Sequence, residues 1–339
     1  SKMSSKYINY GINYLKVLGG LKTPLNLIHL VTNKCNMQCS HCFYWKELNQ
    51  GNEMNLEQIE ILVKSLKNKL NLLMLGGGEP FLRDDIKEIC NLYIKYNKVK
   101  NINIVTNGYL SEKIYETVKE IKGANINIQI SLDGLEKLHD KIRNKKNSFK
   151  QAVKTVNLLK TLNVNIGILT VISNKNYKQI DELADFVRNE LKVKHSFELI
   201  RGNPKDKNFT LPPLQELDYL YKKIKSIYKK QTKKLRKDYG VNLTALKYSI
   251  EMLKKNKKLL NCSAGSIVGT IYPNGDVALC ELKPTFANLS DFDYDFYKLW
   301  KSEKANQARE QIKNCFCTHG CFMQPSIVYS HHALKILKC

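Results

Sequence analysis

Between Leu27 and Arg201 the chain alternates short β-branched runs with longer stretches whose apolar residues recur at helical spacing. The spacing predicts strands at Leu27–Val31, Leu72–Leu75, Ile102–Thr106, Ile126–Ser131, Ile166–Ile172 and Ser196–Ile200. Helices are expected between them, at about Leu56–Lys69, Asp84–Tyr96, Glu112–Ile121, Phe149–Leu162 and Tyr177–Leu191. Such alternation builds a parallel sheet joined by crossover helices. Six units in order predict an α/β fold, a partial (βα)6 TIM-like barrel whose strand C-termini share one rim. Ahead of it, Tyr7, Tyr10, Ile12, Tyr14, Leu15 and Leu18 fall on one helical face, ended by Gly19-Gly20. A short amphipathic helix of this kind packs on its own domain, covers a site or rests on a membrane surface. After Arg201-Gly202-Asn203-Pro204 comes a basic, helix-rich stretch from Leu214 to Lys258, with Pro212-Pro213 as its start. Farther on, Tyr272-Pro-Asn-Gly-Asp-Val reads as a hairpin turn flanked by strands. The expected division is a lead-in (1–26), the barrel (27–203), a helical basic bridge (204–260) and a small hairpin and helix region (261–339).

Composition changes this picture little, since 43% hydrophobic and 25% charged residues are ordinary for a globular chain of 339. No 18-residue apolar stretch and no secretory pattern occur, so a cytoplasmic protein is expected, with membrane-peripheral contact open through the first helix. The formal charge of +24 attracts polyanions in general. The lysines are scattered, however, and the densest run, Lys222 to Lys237, reads as a solvated helix face. Nucleic acid is therefore not the expected partner, whereas an anionic substrate stays open. Ten cysteines in clusters, without a signal peptide, point to metal ligation in a reducing compartment.

The densest chemistry lies just after the first strand, where Cys35, Cys39 and Cys42 are spaced C-x3-C-x2-C and followed by Phe43. A closed structural site wants four protein ligands. A cubane iron–sulfur cluster held by three leaves one iron open to bind something else. The competing reading is a zinc knuckle with His41 as fourth ligand.

This loop resembles the cluster loop of the radical S-adenosylmethionine (radical SAM) superfamily. The resemblance implies a [4Fe–4S] cluster on Cys35, Cys39 and Cys42 whose open iron binds S-adenosylmethionine, reductive cleavage of which yields a 5′-deoxyadenosyl radical. It extends to the rim of the predicted barrel. Gly76-Gly77-Gly78-Glu79-Pro80 resembles the segment that binds the methionine amino group, with Gly77, Gly78, Glu79 and Pro80 as expected contacts. Glycines admit close backbone approach, and a carboxylate accepts from an ammonium. Thr106-Asn107-Gly108 and Ser131-Leu132-Asp133-Gly134 resemble ribose and carboxylate contacts, implying Asn107, Ser131 and Asp133; as sequence alone, Asn-Gly and Asp-Gly also mark plain turns. Val171 resembles an adenine contact, with core packing as the alternative. His139-Asp140-Lys141-Ile142-Arg143 is suited either to positioning a carboxylate or to a surface ion-pair turn, and no catalytic residue is assigned.

The later cysteines begin with a C-x12-G-x4-C unit, Cys262, Gly275 and Cys280, followed by Cys315, Cys317, Cys321 and Cys339. The unit resembles the opening of SPASM and twitch domains, although the later C-x-C-x3-C run is shorter than that of a full SPASM domain. The resemblance implies one auxiliary [4Fe–4S] cluster on Cys262, Cys280, Cys317 and Cys321, with Cys315 the reserve ligand and structural zinc the alternative. Cys90 is expected in the core, and His319 and His331-His332 outside any ligand set.

Family members of this build imply hydrogen abstraction from an unactivated C–H bond, foremost in oxidation or cross-linking of a peptide, fed by a flavodoxin- or ferredoxin-type reductant. The short lead-in leaves no room for a leader-binding domain ahead of the first strand. The alternative substrates are sugar-like, phosphorylated or lipid-linked small molecules undergoing dehydrogenation, epimerisation or C–C bond formation. A glycyl-radical activase lacks its ferredoxin-like insertion here. A non-catalytic iron–sulfur or zinc nucleic-acid module would be expected to have lost the Cys35-Cys39-Cys42 or Gly77-Gly78-Glu79 elements, which are intact.

Overall fold

A computed structural model describes residues 20–231 and 239–330, together with Leu15 and Val17. The expected helix ending at Leu18, part of the basic run, His331-His332 and Cys339 lie outside the described residues. Within them, six parallel strands form in the expected order: β1 (Asn26–Thr32), β2 (Leu72–Gly77), β3 (Asn101–Thr106), β4 (Asn125–Ser131), β5 (Asn165–Ile172) and β6 (Lys194–Leu199). The crossover helices are α1 (Leu56–Ser65), α2 (Ile86–Asn97), α3 (Ser111–Glu120), α4 (Glu136–Arg143), α5 (Ser148–Leu159) and α6 (Ile180–Phe186). The last expected helix is broken into a 3₁₀ turn at Tyr177–Gln179, α6 and a π turn at Val187–Leu191.

Period-two patterning sets the two faces. Along β3 and β4, Ile102, Ile104, Ile126, Ile128 and Ile130 are buried beneath the helices. The intervening positions point into the barrel, where Asn103 donates to Gln129 Oε1 at 3.2 Å and Asn127 to Asn103 Oδ1 at 2.6 Å. A parallel sheet covered on both sides by apolar layers would read as continuous hydrophobic runs. The alternation here records a polar interior.

Helix α1 starts on a reciprocal capping box between Asn55 and Gln58. It stops at Ser65, short of the Lys69 expected from periodicity. Thr23 Oγ1 accepts from the backbone of Lys67 and Asn68, and Ser65 Oγ accepts from Phe296 N at 2.8 Å, which draws the chain off the helix axis.

The C-terminal third contains α7 (Leu217–Lys229), α8 (Tyr239–Lys255), β7 (Val268–Ile271), β8 (Asp276–Ala278), β9 (Ala287–Asn288), α9 (Phe296–Trp300), α10 (Glu303–Gln311) and α11 (Gly320–Val328). The expected hairpin is β7–β8, turning at Gly275, where φ is +87°. Its attachment was not legible in the sequence: β7 pairs in parallel with β1, so one nine-stranded sheet runs β6-β5-β4-β3-β2-β1-β7-β8-β9. The C-terminal cysteines are thereby tied directly to the barrel's first strand.

Candidate active site

The strand C-termini open onto a cavity of about 210 Å³. Cys35, Cys39 and Cys42, on the loop after β1, all line it, as do Phe43, Gly77, Gly78, Asn107, Ser131 and Val171. Burial raises the Cys35 thiol to about 12 and Cys42 to about 11, with the neighbouring loop thiols adding to each rise. Thiols so close together favour their neutral form until a cation or cluster supplies positive charge.

The glycines after β2 serve this loop as well as the cavity. Gly78 N donates to Thr32 O at 2.8 Å, and Glu79 N donates to Lys34 O at 2.7 Å. A Cβ on Gly77 would overlap the Thr32 carbonyl, and one on Gly78 the Lys34 carbonyl. Only glycine lets the two loops lie this close.

Glu79 and Pro80 lie behind that face. The Glu79 carboxylate is fully buried, accepting from Thr106 Oγ1 at 2.7 Å, Asn107 N at 2.8 Å and Phe81 N at 3.2 Å. Burial raises it to about 7 against the pull of those donors. It ties the ends of β2 and β3 together. Pro80 is buried and opens a 3₁₀ turn at Pro80–Leu82.

Asp133 is also buried. Its Oδ1 accepts from Val171 N at 3.0 Å, and its Oδ2 pairs with Arg143 Nη2 at 2.7 Å. Burial acts to raise this carboxyl, but Arg143, His41 and His139 outweigh it and hold it below the usual carboxylate range. Arg143 lines the cavity and points Nη1 at Cys39 Sγ, 3.8 Å away. It thus joins the strand-end carboxylate to the cysteine loop; of the two readings of its segment, holding a carboxylate is the one this pairing matches, and the contact with Cys39 adds to it.

On the C-terminal side, Glu198, Arg201, Glu281 and Cys321 line the same cavity. Arg201 Nη1 donates to Glu198 Oε2 at 2.7 Å, with its guanidinium 5.1 Å from the Phe43 ring centroid. Glu281 accepts a hydrogen bond from the fully buried His319. Glu198 and Arg201 sit at the rim end of the sixth strand, the position from which they could have been nominated. Glu281 is flagged only by adjoining Cys280.

The C-terminal cysteines act on one another electrostatically. Burial raises Cys262 to about 11, and Cys317 and Cys315 add to that rise. Cys280 is raised by burial, with Cys317 and Cys262 among the contributing charges, and Cys317 likewise feels Cys315. Cys321 faces the cavity, its Sγ 3.7 Å from Met74 Sδ on β2. Burial raises its thiol well above the usual range, with Glu198, Glu281 and Cys280 adding to the effect and Arg201 opposing it. Within the expected auxiliary set, Cys280 feels Cys262 and Cys317, Cys321 feels Cys280, and Cys321 also lines the cavity, while the reserve residue Cys315 acts on Cys262 and Cys317. Cys90 is buried on α2.

Sulfur ligands sharing one tetrahedral zinc through bonds of about 2.3 Å sit roughly 3.8 Å apart. Among the described residues, the trio of metal-ligating atoms lying within 4.8 Å of one another is that of Glu281, His319 and Cys321. The three loop sulfurs do not all lie that close to one another. His41, the fourth ligand a zinc knuckle would need, faces Asp133, its Nε2 3.8 Å from Oδ2.

The profile of the radical SAM superfamily matches residues 30–187. A cysteine-type anaerobic sulfatase-maturating enzyme of Clostridium novyi is 32% identical over 187 residues, 50% of this chain and 49% of that protein. The antilisterial bacteriocin subtilosin biosynthesis protein AlbA of Bacillus subtilis is 25% identical over 92% of this chain and 64% of its own length. An uncharacterised protein of Methanocaldococcus jannaschii is 31% identical over 63% of this chain and 76% of its own length. The chain thus spans about half of the first of these relatives and under two thirds of the second. Among solved structures, SuiB of Streptococcus suis bound to its precursor peptide shares the fold, with a TM-score of 0.64 and 22% identity over 87% of this chain and 68% of that one.

Proposed function

The chain belongs to the radical SAM superfamily, and from that premise we propose that it removes hydrogen from an unactivated C–H bond of a peptide substrate. In this reading Cys35, Cys39 and Cys42 hold a [4Fe–4S] cluster, and the cluster with S-adenosylmethionine supplies a 5′-deoxyadenosyl radical. The observation that carries it is the meeting of those three thiols with Gly77, Gly78, Asn107, Ser131 and Val171 in one cavity at the strand ends. Gly76 to Gly78 give the methionine end a backbone surface with no side chain in the way. Asn107 and Ser131 offer hydrogen-bonding groups to a ribose. Arg143 sets positive charge beside Cys39, which favours thiolate ligation.

A peptide substrate is supported by the relatives, which mature sulfatases or make subtilosin, and by the fold shared with a precursor-peptide complex. Oxidation or cross-linking of that peptide is one outcome of hydrogen abstraction, and a redox-neutral change is the other. We further propose one auxiliary cluster on Cys262, Cys280, Cys317 and Cys321, with Cys315 as the reserve ligand, and a flavodoxin- or ferredoxin-class protein as electron donor. The same reading keeps the division at residues 26, 203 and 260.

The test is iron and sulfide per chain after anaerobic reconstitution, with 5′-deoxyadenosine measured alongside, for the native chain and a C35A/C39A/C42A variant. The expected result is about eight irons falling to four with 5′-deoxyadenosine lost, by the count of two four-iron clusters. Cleavage of S-adenosylmethionine undiminished in the variant would overturn the assignment.

A further inference from the structure

We infer that the base of the barrel, the face opposite the cavity, docks the protein on an anionic lipid surface. The inference stands apart from the radical chemistry proposed above and needs none of it. In a parallel barrel every loop that leads into a strand lies on the face away from the strand C-termini. The lead-in to β1 (20–25) carries Lys22, the loop before β2 (66–71) Lys67 and Lys69, and the loop before β3 (98–100) Lys98 and Lys100. The loops before β4 (121–124), β5 (160–164) and β6 (192–193) add Lys122, Lys160 and Lys192. All eight lysines are exposed, and none of the six loops contains Asp or Glu. Among the described residues none of the eight is ion-paired, whereas lysines on the flanking helices are: Lys64 with Glu60, Lys87 with Glu120 and Lys113 with Asp84. The cavity rim is mixed by comparison, with Lys34, Lys46, Glu47 and Glu53 between β1 and α1. Lysines scattered along the sequence are thus gathered on one face by the topology.

Charge alone suits any polyanion, and an apolar neighbour selects lipid. Gly20 and Leu21 share a depression of about 600 Å³ with Lys67, Lys69, Lys98 and Lys100, which places the lead-in on the basic face. Just ahead of it ends the stretch whose apolar residues fall on one helical face. Val17, which is not on that face, packs against the core, while Leu15, which is, stands 66% exposed. The apolar face is therefore turned outward at Leu15. A bilayer surface takes both features, its phosphates meeting the lysines and its acyl boundary the apolar side chains. A nucleic acid supplies the phosphates but no apolar phase. No helix among the described residues is long and apolar enough to cross a membrane, so the contact is with the surface. Held by its base, the protein keeps the cavity turned away from the bilayer and open to substrate and electron donor.

Co-sedimentation of the full chain with vesicles tests this. Vesicles of phosphatidylcholine alone are compared with vesicles of phosphatidylglycerol and phosphatidylcholine in equal parts. The variants are K67E/K69E/K98E/K100E on the base, K113E/K137E/K146E/K150E on the rim-side ends of α3 to α5, and L15E. The two quadruple variants carry the same net charge, and circular dichroism checks that each is folded. A K67Q/K69Q/K98Q/K100Q variant repeats the base test without introducing acid. The native chain is expected to sediment with the anionic vesicles only. The base variants should lose at least about tenfold in partitioning and L15E about fivefold. The rim variant should stay within about threefold of native, because attraction to the surface fades over a Debye length of about 10 Å. Equal losses in base and rim variants would reduce the effect to net charge and overturn the inference. So would equal binding to neutral vesicles, or no binding to either. Tighter retention of mixed-sequence RNA than of anionic vesicles, lost in the base variants, would make the face a nucleic-acid surface instead.

Discussion

The loop carrying Cys35, Cys39 and Cys42 is one short run of backbone, whereas Cys262, Cys280, Cys315, Cys317 and Cys321 arrive from separate segments after α8, after β8, after α10 and at the start of α11. The first set is fastened on every side. Gly78 N and Glu79 N bind its entry, Ser40 N donates to Ile142 O at 2.9 Å, and the Asn49 side chain accepts from Cys35 N at 3.0 Å. The second set depends on how α10 and α11 dock onto the hairpin. Spacing in sequence therefore determines which thiols meet in the first region. In the second, the packing of separate segments decides which thiols meet.

The same contrast runs through the cavity walls. On the barrel side, Asp133 and Arg143 form a buried pair engaged with the cysteine loop. At the rim end of β6, Arg201 and Glu198 pair at the cavity surface, each side chain about 15% exposed. Breaking a fully buried pair leaves an uncompensated charge, a loss of about 3–5 kcal/mol. Arg143→Met is expected to lose stability on that scale. Arg201→Met should lose less than about 2 kcal/mol, because water reaches Glu198. Urea unfolding of the two variants decides the matter. Equal losses would erase the distinction between a locked wall and an open one.

Glu79 sharpens the comparison from inside the barrel wall. Its carboxylate takes donors from Thr106, Asn107 and Phe81 and does not face the cavity. Glu79→Ala strands buried donors and is expected to lose about 1–3 kcal/mol of stability. Thermal unfolding and S-adenosylmethionine affinity are measured together. A full-length, stable variant with affinity reduced more than tenfold would make Glu79 a ligand instead of a brace.

How far the sequence reaches follows from the same physics. Six strands and their crossover helices were legible because each buries a periodic face, and boundaries moved only where a side chain competed, as Thr23 does after Ser65. The cavity residues at strand ends were legible because a parallel barrel puts those ends on one rim. Local motifs do not state which way a side chain turns. Glu79 and Asp133 were expected at the ligand; their carboxylates are buried on backbone and side-chain partners and do not line the cavity. Arg143, Glu281 and His319 gain their meaning from partners 10 to 104 residues away in sequence, Asp133 and Cys39 for Arg143 and Glu281 for His319. The β1–β7 pairing was invisible for the same reason, since a four-residue strand carries no record of its neighbour.

The smallest effect concerns acid. His29 on β1 and His195 on β6 are fully buried, the first within 2.9 Å of the Tyr93 hydroxyl and the second within 2.8 Å of Thr170 Oγ1. Burial lowers each from 6.5 to about 3, with Arg83 adding to the effect at His29. The folded chain keeps both neutral while the unfolded chain protonates them below pH 6.5. The unfolded state then binds more protons, so stability falls as pH drops from about 6.5 towards 3. Between pH 7 and 5.5 each histidine should remove about 1.3 kcal/mol. On the C-terminal wall, burial also lowers His319, but Glu281 opposes that shift. Hydrogen exchange at pH 7 and 5.5 should accordingly quicken more in β1 and β6 than in α11. Replacing His195 by Gln should flatten the acid limb by one histidine's share. Faster exchange in α11 than in the barrel strands would mean that the wall bearing Cys321 is the one proton uptake loosens first.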